Sequence, residues 1–294
     1  MEEQNWWHER SDGIGASLAF DFELLHREQS QYQLIEIFEH PNFGRFLVLD
    51  GYVQASQADE FIYHEMAVHV PLLGRARQDT SVLIIGGGDG GILREVLEHD
   101  FVTQVTMAEI DRRVVELSNE YLAIQGDYDD PRVQLVIGDA GQLVREAARL
   151  GQKYDLIILD LTEPVGPSAA LFTEEFCAVL AKIVSDEGVI LDSDSIFLSV
   201  EGGKFLQEVS GGGENLVTAM RRHRFLPHME MFRANVPFYP GGDFGLFLYS
   251  RDGVSLRRPV RDFHGRHYDP DIHEAAFALP KWQRDWLAGI GKRA

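Results

Sequence analysis

The amino-acid sequence predicts an α/β protein, with a mostly parallel seven-stranded sheet wrapped by helices on both faces and a small antiparallel β domain before it. Three observations predict this. Short apolar or alternating runs separated by polar, Gly or Pro punctuation fill the first sixty or so residues. Strand-like and helix-like runs then alternate, the rhythm that builds parallel sheets. A glycine turn joins the first of those strands directly to the first helix.

In chain order, LAFDFELLH, YQLIEIFEH and GRFLVLDGYVQAS, from about residue 18 to 62, read as the strands of the N-terminal domain, assigned to residues 1–60. Residues 61–294 form the expected nucleoside-binding catalytic domain. DEFIYHEMAVHVPLL carries apolar positions at helical spacing and is the expected linking helix. SVLIIG, QVTMAEI, VQLVIG and YDLIILD are four strands, with helices expected over ILREVLEH, RRVVELSNEYL and AGQLVREAARL between them. GVILDSD is the fifth strand, and RFLPHMEMFRANVPF with GDFGLFLYS supplies the last two. The glycine-rich 200–214 segment, within VEGGKFLQEVSGGGEN, reads as a surface loop, and there is no internal repeat.

Bulk composition narrows the function. Hydrophobic residues at 45% and charged residues at 25% are ordinary for a soluble globular protein. A formal net charge of −20 argues against a nucleic-acid partner, which demands basic patches, and would draw in a cationic substrate. The start MEEQNWWHER is acidic and without an apolar run, so neither a signal peptide nor a membrane span is expected, and a cytoplasmic location is. The single cysteine, Cys177, falls in the amphipathic FTEEFCAVLAKI and reads as a buried, inert thiol.

The chemistry concentrates at strand ends. GGGDGG opens a helix, and Glu109 ends the next strand 23 residues after Gly86, where an acid can accept hydrogen bonds from ribose hydroxyls. Asp89 inside the loop would repel a pyrophosphate and attract an ammonium, which points away from dinucleotides toward an S-adenosylmethionine-type ligand. Asp139, in VIGDA, is placed either to bond an adenine amino group or to cap the following helix. The fourth strand ends at Asp160, and DLTEPVGP brings Glu163 within four residues. That pair suits a cationic amine and its departing proton, with capping of a helix over SAALFTEEF as the alternative.

Taken in order, GGGDGG, AEID, DDPR, VIGDA and DLTEPVGP resemble the spermidine synthase family, its bacterial members above all. WHE, FGRFLVLDGYVQ, DEFIYHEM and HYDPDIHEAAFALP extend the likeness over nearly the whole chain. The resemblance implies a methyltransferase-like Rossmann core under the β domain, a homodimer or homotetramer, and a site between the domains. It also implies transfer of an aminopropyl group from decarboxylated S-adenosylmethionine, a co-substrate rather than a bound cofactor, to a small cationic polyamine, with putrescine the expected acceptor and no metal. By motif matching, Gln33 and Glu109 are implied as sugar contacts, Asp139, Ala140 and Pro167 as the adenine pocket, and Asp89 as the partner of the aminopropyl ammonium. Tyr63, His64, Tyr239 and the run Asp160, Leu161, Thr162 and Glu163 are implied as the acceptor site, with Asp160 as proton acceptor. Trp6 and Trp7 lie in a region the family uses near the amine, although tryptophans so placed ordinarily pack a β domain.

The chain departs from the family pattern at Glu163, where Asp is usual, and at Asp192, Ser193 and Asp194, where family members commonly carry Gln. A shorter or differently charged diamine therefore stays open as acceptor. Two other readings also remain at this point: a polyamine N-methyltransferase using S-adenosylmethionine itself, and a non-catalytic polyamine- or nucleoside-binding homologue.

Overall fold

A computed structural model describes residues 6–9, 19–162, 168, 171–195, 220, 225–239 and 242–289, apart from the side chains of 194, 195, 286 and 289. Glu163, Pro167 and the 200–214 segment lie outside the described residues.

Strands β1 (Trp7–His8) and β2 (Ala19–Phe20) pair as a short antiparallel ribbon. They precede an antiparallel meander of β3 (Glu23–Gln29), β4 (Leu34–His40), β5 (Gly44–Leu49) and β6 (Tyr52–Ser56). Alternation gives this sheet two used faces. Phe38, Phe46, Val48 and Val53 gather Trp7, Phe20 and Phe22 on one side, so Trp7 packs the N-terminal sheet, its ring centroid 5.4 Å from that of Phe38.

Helix α1 (Glu60–Arg75) follows, buried almost all round, as expected for a helix enclosed by other elements rather than lying on the surface. Then come β7 (Thr80–Gly86), α2 (Gly91–Leu97), β8 (Val102–Glu109), α3 (Arg112–Tyr121), β9 (Val133–Ile137), α4 (Ala140–Leu150) and β10 (Tyr154–Asp160). They lead into α5 (Glu174–Ile183), β11 (Val184–Ser195), β12 (His228–Asn235), β13 (Asp243–Ser250), α6 (Pro270–Ala276) and α7 (Lys281–Gly289). On its other face the meander packs Ile35, Ile37, Leu47 and Leu49 against Val114 and Leu117 of α3, which ties the two sheets together.

The large sheet runs β12-β13-β11-β10-β7-β8-β9, with β11 through β9 parallel and β13 antiparallel to its neighbours. Successive side chains feed opposite cores: Val82, Ile84, Leu156 and Ile158 face α1 and α2, while Leu83, Ile85, Ile157 and Leu159 face α4 and α5. Both faces are covered, which is why these strands read as unbroken apolar runs. The expected α/β architecture with a separate antiparallel N-terminal sheet is thus present. Cys177 is fully buried in α5.

One expected boundary moves. The helix anticipated over SAALFTEEF begins only at Glu174, because the Thr173 hydroxyl accepts the Phe176 amide and caps it there. Asp160 therefore does not cap that helix. Among the described residues no helix is long and apolar enough to cross a membrane.

Candidate active site

Strands β7 and β10 lie side by side with Gly86 in register with Asp160. The chain leaves toward β8 and β9 on one side of this pair and toward β11 on the other, so a crevice opens at the carboxyl ends of the strands. Gly86 turns there with φ of +84°, and a β-carbon on it would stand 2.0 Å from the Asp160 carbonyl oxygen. Only glycine lets loop and strand end meet so closely.

On the α1 side of the crevice the Tyr63 hydroxyl donates to Asp160 Oδ1 at 2.8 Å and lies 3.3 Å from Ser193 Oγ. His64, 1% exposed, sets Nδ1 2.6 Å from Glu60 Oε2 and Nε2 3.4 Å from Asp89 Oδ2. Asp89 Oδ1 accepts the Gly91 amide at 2.7 Å. The imidazole lies on the bare start of α2, where a β-carbon at Gly91 would come within 2.2 Å of the ring. One polar atom each from His64, Asp89 and Asp160 falls within 4.8 Å of the others.

Electrostatics follow from this crowding. Burial alone would strip the His64 proton, but Asp89 and Glu60 overrule it and hold the imidazole charged well above its usual range. Burial likewise pushes Asp89 up, yet His64 and the Gly91 amide more than offset it, and Asp89 stays ionised below the ordinary range. Burial and then the Asp89 charge push Asp160 up to about 6. Both ring nitrogens of His64 thus face carboxylates, Glu60 on one side and Asp89 on the other.

Across the crevice Glu109 is buried and pushed up to about 7, chiefly by that burial, while its Oε1 accepts the Asp111 amide at 2.8 Å. Asp111 Oδ2 in turn accepts Ser30 Oγ at 2.6 Å and Gln33 Nε2 at 3.2 Å, which draws Gln33 from the N-terminal sheet to the same edge. Asp139 caps α4, its Oδ1 accepting the Gly141 amide at 2.7 Å, and Ala140 is buried as the first residue of that helix. A side chain at Gly138 would meet open space, and Asp139 itself is exposed while it caps.

The remaining expected residues are less concentrated. Leu161 and Thr162 continue from β10 half-buried. Tyr239 sets its ring centroid 6.0 Å from that of Tyr63, the planes tilted by 59°, while its hydroxyl donates to the Gln54 carbonyl at 2.9 Å. The neighbouring Phe238 amide donates to Asp59 at 2.9 Å, so the β12–β13 turn is pinned to the end of β6 and the start of α1. Glu163 and Pro167 fall on undescribed residues. Glu60, Arg94 and Asp111 were not anticipated, and Ser193 was marked only as a departure from the family pattern; the i,i+4 spacing of Glu60 and His64 was the one local sign for the first of them.

Comparison with known proteins fits this geometry. Residues 60–255 match the spermine/spermidine synthase domain, and residues 5–57 match the spermidine synthase tetramerisation domain. A polyamine aminopropyltransferase of Shigella flexneri serotype 5b is 40% identical over 98% of this chain and 99% of its own. One from Escherichia coli K12 is 39% identical over the same shares. Among solved structures, a spermidine synthase in complex with the transition-state analogue AdoDATO superposes with a TM-score of 0.83 at 29% identity, covering 97% of this chain and 96% of that one. The spermidine synthase of Thermotoga maritima gives 0.81 at 30%, covering 97% and 95%. With its sheet order, its acidic crevice and both family domains in sequence, the chain belongs to the spermine/spermidine synthase family.

Proposed function

We propose that this aminopropyltransferase moves the aminopropyl group of decarboxylated S-adenosylmethionine to putrescine, yielding spermidine and 5′-methylthioadenosine. The observation that carries this reading is the convergence of ionised Asp89, Asp160 and Tyr63 at one crevice, across from Glu109. In this reading Gln33 and Glu109 hold the ribose, and Asp139, Ala140 and Pro167 border the adenine. Asp89 pairs with the aminopropyl ammonium, while Tyr63, His64, Tyr239 and the run from Asp160 through Leu161 and Thr162 to Glu163 receive the acceptor.

The sulfonium makes its neighbouring methylene electrophilic, so the protein has mainly to align a neutral amine with it and keep water out. The nitrogen lone pair forms the new N–C bond as the C–S bond breaks. The bonding electrons remain on sulfur, which leaves as a neutral thioether, and the nitrogen proton passes to the Asp160 carboxylate. Deprotonating a free amine of pKa about 10.4 at pH 7.5 costs about 4 kcal/mol. Asp160, raised to about 6, is ionised at that pH and a stronger base than an ordinary aspartate. The carboxylate of intact S-adenosylmethionine would meet anionic Asp89, which favours the decarboxylated donor.

Product masses after incubation with each donor and with putrescine, 1,3-diaminopropane, cadaverine or spermidine test this. Spermidine from putrescine and the decarboxylated donor is expected; methylated amines, or a clear preference for another diamine, would overturn the donor or the acceptor assignment respectively. The match of residues 5–57 supports a homotetramer, for which light scattering should give about four 33.2 kDa chains.

A further inference from the structure

Behind His64 stands a buried ladder of charges that the reaction does not itself require. Arg94 of α2 reaches both oxygens of Glu60, at 3.2 and 2.9 Å, and its Nη1 donates to the Ile124 carbonyl at 2.6 Å. Its Nε donates to Glu95 at 2.7 Å, and Glu95 lies 3.1 Å from His69 on the next turns of α1. Glu60 is thus held on two sides, by Arg94 and by His64, and has no freedom to turn away.

We infer that Glu60, braced by Arg94, is a positioning residue for amine transfer: it fixes the His64 ring and keeps it a two-sided donor, so that a built-in positive charge lies between Asp89 and Asp160. The need for that charge is electrostatic. Two carboxylates this close cannot both stay ionised unaided, and one of them takes up a proton. Asp160 is the one displaced upward, and a protonated Asp160 cannot receive the amine proton. His64 opposes that rise, and Glu60 adds to Asp89 in keeping His64 charged. The groups facing the ring are Glu60 and Tyr63 from α1, Asp89 from the glycine loop, Arg94 and Glu95 from α2, and Asp160 from β10. Farther off, Glu109 ends β8, and the Tyr128 hydroxyl sits against Gly90, where Asp89 and Glu109 act on it.

This role rests on the amine-transfer reading above, but its first test does not. In protein labelled with 15N-histidine, with His64 assigned from a His64→Gln sample, both His64 nitrogens should show imidazolium shifts at pH 8. In Glu60→Gln the imidazolium should lose its proton at a lower pH than in the unaltered protein, whereas Glu60→Asp should keep it. In the activity assay, Glu60→Gln should move the acid limb of the kcat/KM profile for the amine up by about one pH unit. Its loss should be about threefold near pH 6.5, approach about tenfold well below pH 6 and shrink as pH rises, with unchanged affinity for methylthioadenosine. Arg94→Gln should shift the limb the same way by less. A part that only supports the fold would lower the whole profile evenly. A neutral His64 in the unaltered protein at pH 8, or a Glu60→Gln limb superposed on the original, overturns the inference. Should Glu60→Gln not fold, the spectrum of the unaltered protein and the Arg94→Gln profile decide it.

Discussion

The two halves of the crevice secure their carboxylates differently. On the half proposed for the nucleoside, Glu109 and Asp139 each accept the amide two residues ahead, from Asp111 and Gly141, so a few consecutive residues fix each one. On the amine half, Asp160 is held by Tyr63, 97 residues away, and Tyr63 reaches Ser193, 130 residues away. Local bonds make the nucleoside half a property of its motifs. The amine half exists only once α1, β10 and β11 are packed, and side chains rather than backbone tune it.

The sharpest way to break that contrast is Asp160→Asn. It should lower kcat by about a thousandfold while methylthioadenosine affinity holds, because only the amine half is touched. Equal loss of both would mean the halves are not separable. In the unaltered protein kcat/KM for the amine should fall below a pH of about 6 as Asp160 takes up a proton.

Tyr63→Phe should reduce kcat/KM by about tenfold, the weight of one hydrogen bond to a charged group. Its acid limb should move upward as well, since the Tyr63 hydroxyl pulls Asp160 down. A fall with no movement of the limb would place Tyr63 on the amine rather than on the aspartate.

Asp139→Ser sharpens the nucleoside half. Serine retains a cap for α4, so the melting temperature should hold while methylthioadenosine binds several-fold more weakly, up to about tenfold. Lost stability with intact binding would leave Asp139 a cap alone.

The smallest effect lies away from the crevice, at His99. Burial, and then the neighbouring His69, hold its folded-state pKa at about 3, against an ordinary 6.5. The unfolded chain therefore binds the extra proton between those values, and stability is complete above pH 6.5 and declines as pH falls toward 3. His99→Gln should flatten that decline by up to about 1.4 kcal/mol per pH unit in chemical denaturation. Asp160 and Glu109, raised in the folded state, act in the opposite sense in both proteins and cancel in the difference. Parallel stability curves would remove His99 from the account.

The same contrast explains what could be read before folding. The sheet, the glycine loop and the places of Glu109 at the end of β8 and Asp139 at the start of α4 were legible because each depends on residues within one strand-turn-helix unit. The late start of α5 was not, since the Thr173 cap competes with an apolar run that would otherwise extend the helix backward. Glu60 looked like an ordinary acid in the first turn of a helix; only the packing of α2 on α1 gives it Arg94. Ser193 stood out in sequence only as a departure from the family's Gln; its partner, the Tyr63 hydroxyl, is set by the packing of β11 beside α1.

Gly91 bears on how such a pocket could diversify. The imidazole rests where any other residue would put carbon, so even the smallest side chain at 91 must shove His64 off its two acids. That wall is closed to gradual change. Ser193 on β11, 3.3 Å from the Tyr63 hydroxyl, meets no such glycine wall, so a change of acceptor preference is expected from β11 rather than from the start of α2.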